Sequence, residues 1–140
     1  MLELKKSNFE QTVLVGVINS NQDEFKLNEY LEELAFLTMT AGGTVTKKFT
    51  QKIVSPNPKF FIGKGKIEEI KKFINNNEVS MVVFDDELSP THVKNLQKLA
   101  GDDIKILDRT GVILDIFSQH VKTKESRKQV ELAKLEYMLP

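Results

Sequence analysis

Gly63-Lys64-Gly65-Lys66 is the segment whose residue types and spacing come nearest to phosphate chemistry. Two glycines ahead of a helix let the backbone approach an anion, and Lys64 and Lys66 would add charge beside the positive end of that helix. The segment is not a P-loop. That signature, GxxxxGK[ST], needs a glycine where Phe60 stands and a hydroxyl where Ile67 stands. A tight turn with solvated lysines is the simpler account, and a phosphate contact through Gly63, Lys64, Gly65 and Lys66 is the sharper one.

Asp85, Asp86 and Asp108 form a second group. Each follows an apolar run that reads as a strand. If those strands are neighbours, the carboxylates would meet at one sheet edge, where they could hold a divalent cation or act as a phosphoacceptor. The simpler expectation is helix capping, with Asp108 ahead of Arg-Thr-Gly and Asp86 ahead of a serine-started helix. His92 and His120 lie on different helices without ligand spacing, and the chain has no cysteine, so no metal site is expected. A third group is cationic: His120 to Lys128 reads HVKTKESRK and gathers Lys122, Lys124, Arg127 and Lys128 where two helical stretches meet. Such a corner can exchange counterions for RNA phosphates, or simply be a solvated face.

The elements that must position these residues follow from periodicity. Thr12 to Ile18 is β-branched and almost continuously apolar, as in a strand buried on both faces. Leu27 to Met39 has apolar residues at three- and four-residue steps, the pattern of an amphipathic helix, and Gly42 and Gly43 stop it. Thr44 to Val54 mixes β-branched residues with lysine and reads as a strand with one wet face or an edge position. The prolines of Ser55 to Pro58 enforce a loop, and Ile67 to Ile74 forms a helix. Ser80 to Phe84 is a third strand. Ser89-Pro90 opens a helix that Gly101 closes, and Ile104 to Leu107 is a fourth strand. Helices are expected over Val112 to Val121 and from about Thr123 to Leu139.

Strands alternating with helices specify an α/β fold: a four-stranded, mostly parallel sheet with helices on both faces. The last helix carries apolar residues on a broad face almost to Pro140, as a helix does when its packing partner is missing. Residues 1–109 are therefore expected to form the α/β subdomain and 110–140 a helical extension. That extension reads as the start of a long helical hairpin.

Composition sets the outer bounds. The 140 residues suit one domain, with 40% hydrophobic and 29% charged residues, so the chain is neither disordered nor fibrous. No apolar run reaches the length of a membrane span, and a cytosolic protein is expected. Net charge is zero, which argues against nucleic-acid binding by bulk charge alone. The distribution is uneven, however: residues 1–36, 47–72, 78–103 and 104–140 carry −4, +6, −4 and +2. An anionic partner would meet the second or fourth segment.

Five strings in this order resemble the N-terminal domain of the HflX family of ribosome-associated GTPases. They are ELAFLTMTAGG at 33–43, NPKFFIGKGK at 57–66, FDDELSPTHVKNL at 84–96, LDRTGVILDIF at 107–117 and QVELAKLEYMLP at 129–140. The resemblance implies an α/β subdomain, then a helical hairpin cut at Pro140, then a GTPase domain with its own P-loop. It implies GTP and Mg in that missing domain, possible ATP binding near Gly63 to Lys66, and no catalysis by this fragment. The implied partners are the large ribosomal subunit with its rRNA, reached through Lys122, Lys124, Arg127 and Lys128, and the protein's own GTPase domain. The implied role is ribosome splitting or rescue. Where similar sequences usually show arginine then alanine, this chain has His120 and Val121. Two other functions fit the residues: a nucleotide-binding regulatory domain at Gly63 to Lys66, and a phosphoacceptor receiver. The broad apolar face of the last helix also predicts self-association of the fragment in isolation.

Overall fold

The central strand, β1 (Glu10–Ile18), is apolar on both faces because both are covered. Val13, Val15 and Val17 point to one layer, while Leu14 and Ile18 point to the other. In a computed structural model, which describes residues 10–19, 23–120 and 124–139, the remaining elements arrange themselves around this strand. They are α1 (Glu24–Thr40), β2 (Gly43–Lys52), α2 (Lys64–Asn77), β3 (Met81–Phe84), α3 (Pro90–Ala100), β4 (Lys105–Asp108), α4 (Arg109–His120) and α5 (Lys124–Met138). Every strand pairing is parallel, and the order across the sheet is β2-β1-β3-β4. The expected α/β class and the four strands are observed.

One face is covered by α1 and α4, whose Leu27, Leu31, Leu34 and Val112 pack on Leu14, Ile18, Met81 and Val83. The other is covered by α2 and α3, whose Ile67, Ile70, Ile74 and Leu96 pack on Val13, Val15, Phe49, Val82 and Phe84. Full burial of such side chains is worth about 1.5–3 kcal/mol each, so these two layers, and not local propensity, fix the helices in place. Because β2 and β3 lie on opposite sides of β1, the chain reverses its direction of travel after β2. The carboxyl ends of β1 and β3 thus form the switch point where α/β sheets favour ligands.

Local chemistry explains the helix ends. Asp23 caps α1 by accepting from the Phe25 amide at 3.0 Å. Gly42, with φ at 103°, makes the turn from α1 into β2. Ser89 caps α3 in a capping box whose second half is the His92 ring: Ser89 Oγ accepts from the His92 amide at 3.1 Å, and His92 Nδ1 accepts from the Ser89 amide at 3.3 Å. The expectation that Asp86 caps this helix is corrected, since Ser89 and His92 form the cap. Two helices begin earlier than periodicity suggested. The first turn of α2 includes Lys64, Gly65 and Lys66, because extended Gly63 serves as its N-cap. Likewise α4 starts at Arg109, directly after β4, with Asp108 satisfying the Gly111 amide.

A β-bulge lies in β2 where the register steps from Thr12/Val45 to Val13/Lys47. The extra residue, Thr46, is held by its hydroxyl on Gln11 Oε1 at 2.7 Å. It turns Val45 toward the α1 layer, and Lys47 and Phe49 toward the α2 layer. The helix α5 lies against α4 and buries none of its own residues. No helix among the described residues is long and apolar enough to cross a membrane.

Candidate functional site

The loops at the carboxyl ends of β3 and β4 bring three expected carboxylates together, and each has a different task. Asp108 is fully buried. Its Oδ2 accepts from the Leu88 amide at 3.0 Å, and its Oδ1 accepts from the Gly111 amide at 3.0 Å and the Tyr137 hydroxyl at 2.6 Å. One side chain therefore caps α4, pins the loop ahead of α3 and holds α5. Three donors on one buried carboxylate repay its desolvation and commit it to structural bonds.

Asp85 faces Arg109. Its Oδ1 accepts from Nε at 3.2 Å and from Nη2 at 2.5 Å. The same guanidinium donates from Nη1 to Glu33 Oε1 at 2.9 Å and from Nη2 to the Tyr30 carbonyl at 3.0 Å. Arg109 thus joins the start of α4 to the end of β3 and to α1, using the planar fork that lysine lacks. Asp86 is half-buried, and burial, with the neighbouring Asp85 charge, lifts its carboxyl above the usual range. Among the described residues no group of three side chains has the geometry to hold a metal ion.

Gly63 to Lys66 sits at the carboxyl end of β2, where the expected phosphate contact would be. The Gly63 amide, which such an anion would need, donates to Gln51 Oε1 at 2.9 Å, and Lys66 pairs with Glu69 at 3.1 Å. Lys64 is exposed. The preceding loop is rigid: Asn57 Oδ1 accepts from the amides of Lys59 and Phe60, and the Asn57 and Phe61 backbones pair in both directions. His92 Nε2 donates to the Asn57 carbonyl at 2.9 Å, so the ring is anchored through both nitrogens. It also meets Phe61 edge-on at 5.4 Å between centroids. This explains an otherwise unassigned histidine as a structural clamp.

Of the cationic corner, Lys124, Arg127 and Lys128 lie exposed on the first turns of α5, while Lys122 and Val121 lie outside the described residues. The structure does not bring this corner together with Gly63 to Lys66, which sit by β2 at the opposite edge of the sheet from β4.

Sequence reasoning missed Arg109, Glu33 and Tyr137 as a connected set. Their signal was available: Glu33, Asp85, Asp108, Arg109 and Tyr137 fall in four of the five quoted strings, and the structure joins those strings in space.

A family described as GTP-binding GTPase N-terminal matches residues 28–118, which include most of the sheet and this whole network except Tyr137. The chain belongs to that family. It is 56% identical over 140 residues to GTPase HflX of Flavobacterium psychrophilum, covering 100% of this chain and 33% of that protein. It is 47% identical over 131 residues to GTPase HflX of Caldanaerobacter subterraneus, covering 94% of this chain and 29% of that one. The fold matches the crystal structure of a GTP-binding protein from the archaeon Sulfolobus solfataricus in complex with GDP, with a TM-score of 0.74 and 30% identity, over 94% of this chain and 37% of that chain. The chain thus spans about a third of the length of the relatives it matches. The resemblance to an HflX N-terminal domain read from the five strings is confirmed.

Proposed function

We propose that this family member is the ribosome-docking and regulatory part of an HflX-type GTP-binding protein acting on the large ribosomal subunit, in ribosome splitting or rescue. The observation that carries the reading is the match to GTPase HflX along the entire chain, at 56% identity. GTP hydrolysis belongs to the remainder of the intact protein, because GKGK lacks the glycine and hydroxyl of a P-loop. The α/β layers act as a rigid body, and α5, anchored at Tyr137, acts as the first arm of a helical extension.

Lys124, Arg127 and Lys128, exposed on the first turns of that arm, supply charge to rRNA by replacing counterions, and Lys122 adds to the same basic run of the sequence. Replacing all four by glutamate in the intact protein should weaken cosedimentation with large subunits and flatten its salt dependence. Undiminished cosedimentation across the salt series would defeat the assignment.

A further inference from the structure

The two helical layers carry opposite charge. The helices α1 and α4 hold four glutamates and Asp115 against Lys26 and Arg109, whereas α2 and α3 hold six lysines against two glutamates. The helices of the two layers therefore differ in charge, although Glu78, Glu87, Asp102 and Asp103 flank α2 and α3 in the connecting segments. Five of the six lysines of the second layer make no ion pair among the described residues. Lys64, Lys71, Lys72, Lys94 and Lys98 are exposed, and among the described residues none has a carboxylate within ion-pair distance, while Lys66, Lys105, Arg109 and Lys134 all do.

The helices α2 and α3 cover the same sheet face, and Ile67, Ile70, Leu96 and Leu99 line an apolar cleft between them. Their outer surface carries no exposed large apolar side chain. A membrane-inserting or protein-docking face would need such anchors. A cationic face without them fits a partner recognised by charge alone. The bulge at Thr46 extends the face by placing Lys47 on this side, with its Nζ 5.0 Å from the Phe49 ring centroid and 5.2 Å from that of Phe73. An edge lysine needed only to prevent strand pairing could point either way.

We propose that the α2–α3 face is a second nucleic-acid surface that binds the phosphodiester backbone of double-helical RNA, without reading bases. It rests on the rRNA-docking reading for its partner, but uses lysines of α2 and α3 and not Lys124, Arg127 and Lys128 of α5. Contact through the backbone is implied by lysines arrayed over two rigid helices with no exposed aromatic ring beside them for stacking on bases.

The test uses the intact protein in three forms: unaltered; with Lys71→Glu, Lys72→Glu, Lys94→Glu and Lys98→Glu; and with the same four changed to glutamine. Each is titrated with a 20-base-pair RNA duplex and with isolated large ribosomal subunits over a salt series, and thermal melting shows that each remains folded. Both variants should lose about tenfold or more in duplex affinity near 0.1 M salt, with the slope of log affinity against log salt reduced by about 3–4. The glutamine set should show the smaller affinity loss. Unaltered duplex affinity and slope in the variants would overturn the inference, as would binding of the unaltered protein to anionic vesicles but not to RNA. Should the unaltered protein ignore ribosomal subunits yet bind the duplex through these lysines, the docking reading falls while this face stands. Should subunit binding persist with no effect of these lysines on the duplex, the reverse holds.

Discussion

The Tyr137 hydroxyl donates to Asp108 Oδ1 at 2.6 Å, and this bond ties α5 to the carboxyl end of β4. Asp108 was already committed to the Leu88 and Gly111 amides, so the extension is fastened to the same atom pair that organises the sheet edge. A helix without a buried residue of its own depends on such a point attachment.

Removing the hydroxyl as Tyr137→Phe should cost about 1.5–3 kcal/mol, the range for a hydrogen bond to a charged group. Amide exchange should accelerate in α5 and not in β1 or β3. The bond is also pH-dependent. Burial first, and then the Asp108 carboxylate, push the Tyr137 phenol well above its ordinary value. A phenol that holds its proton more tightly when folded contributes fully below its unfolded pKa of about 10, and that contribution is lost as pH climbs through the folded value. Stability should therefore decline above about pH 10 in the unaltered chain, and less steeply in Tyr137→Phe. Parallel declines in the two proteins would refute the link.

Gly111 makes room for that ring. A Cβ there would stand 2.8 Å from the Tyr137 hydroxyl oxygen, 3.1 Å from a Leu107 methyl and 3.2 Å from the phenol carbon. Gly111→Ala should destabilise by about 1–3 kcal/mol through overpacking. In a Tyr137→Ala background the same change should become neutral or stabilising, because alanine gains about 1 kcal/mol over glycine in a helix once the ring is gone. Additive effects in urea denaturation of the double mutant would contradict this coupling.

Arg109 bridges Asp85, Glu33 and the Tyr30 carbonyl, with the Asp85 side chain only 10% exposed. Truncation as Arg109→Ala leaves that carboxylate without its partner and should cost about 3 kcal/mol. Arg109→Lys keeps the charge, but its single compact ammonium lacks the planar fork whose three nitrogens span Asp85, Glu33 and the Tyr30 carbonyl, so it should recover only part. Full recovery by lysine in chemical denaturation would show that charge, and not the fork, is what matters.

Asp86 works against the fold at neutral pH. Its carboxyl is raised by burial and by Asp85, so the folded state binds its proton more tightly and stability falls as pH rises from the unfolded value of about 3.9. Asp86→Asn should raise the melting midpoint at pH 7, with the gain shrinking toward pH 4. A lower midpoint at pH 7 would mean that the charged form makes a favourable contact.

Much of this was legible in the residue order. Periodicity alone specified four strands, the helices between them and the two-faced burial of Thr12 to Ile18, since side-chain alternation records which faces are covered. Ser89-Pro90 announced its helix start because a cap acts within one turn of chain. The charge segregation was also visible as a running balance, though not its consequence that the two helical layers would be oppositely charged.

What only the tertiary structure decided is who meets whom across long separations. Arg109 meets Glu33 across 76 residues, Tyr137 meets Asp108 across 29, and Leu88 finds its acceptor in Asp108 and not in the nearby Asp86. Periodicity encodes the face a residue occupies, not the order of strands. Order became fixed only when β1 took the centre with β2 on one side and β3 and β4 on the other. That arrangement set the ends of β3 and β4 side by side, so that one buried carboxylate could serve three donors from one loop and two helices.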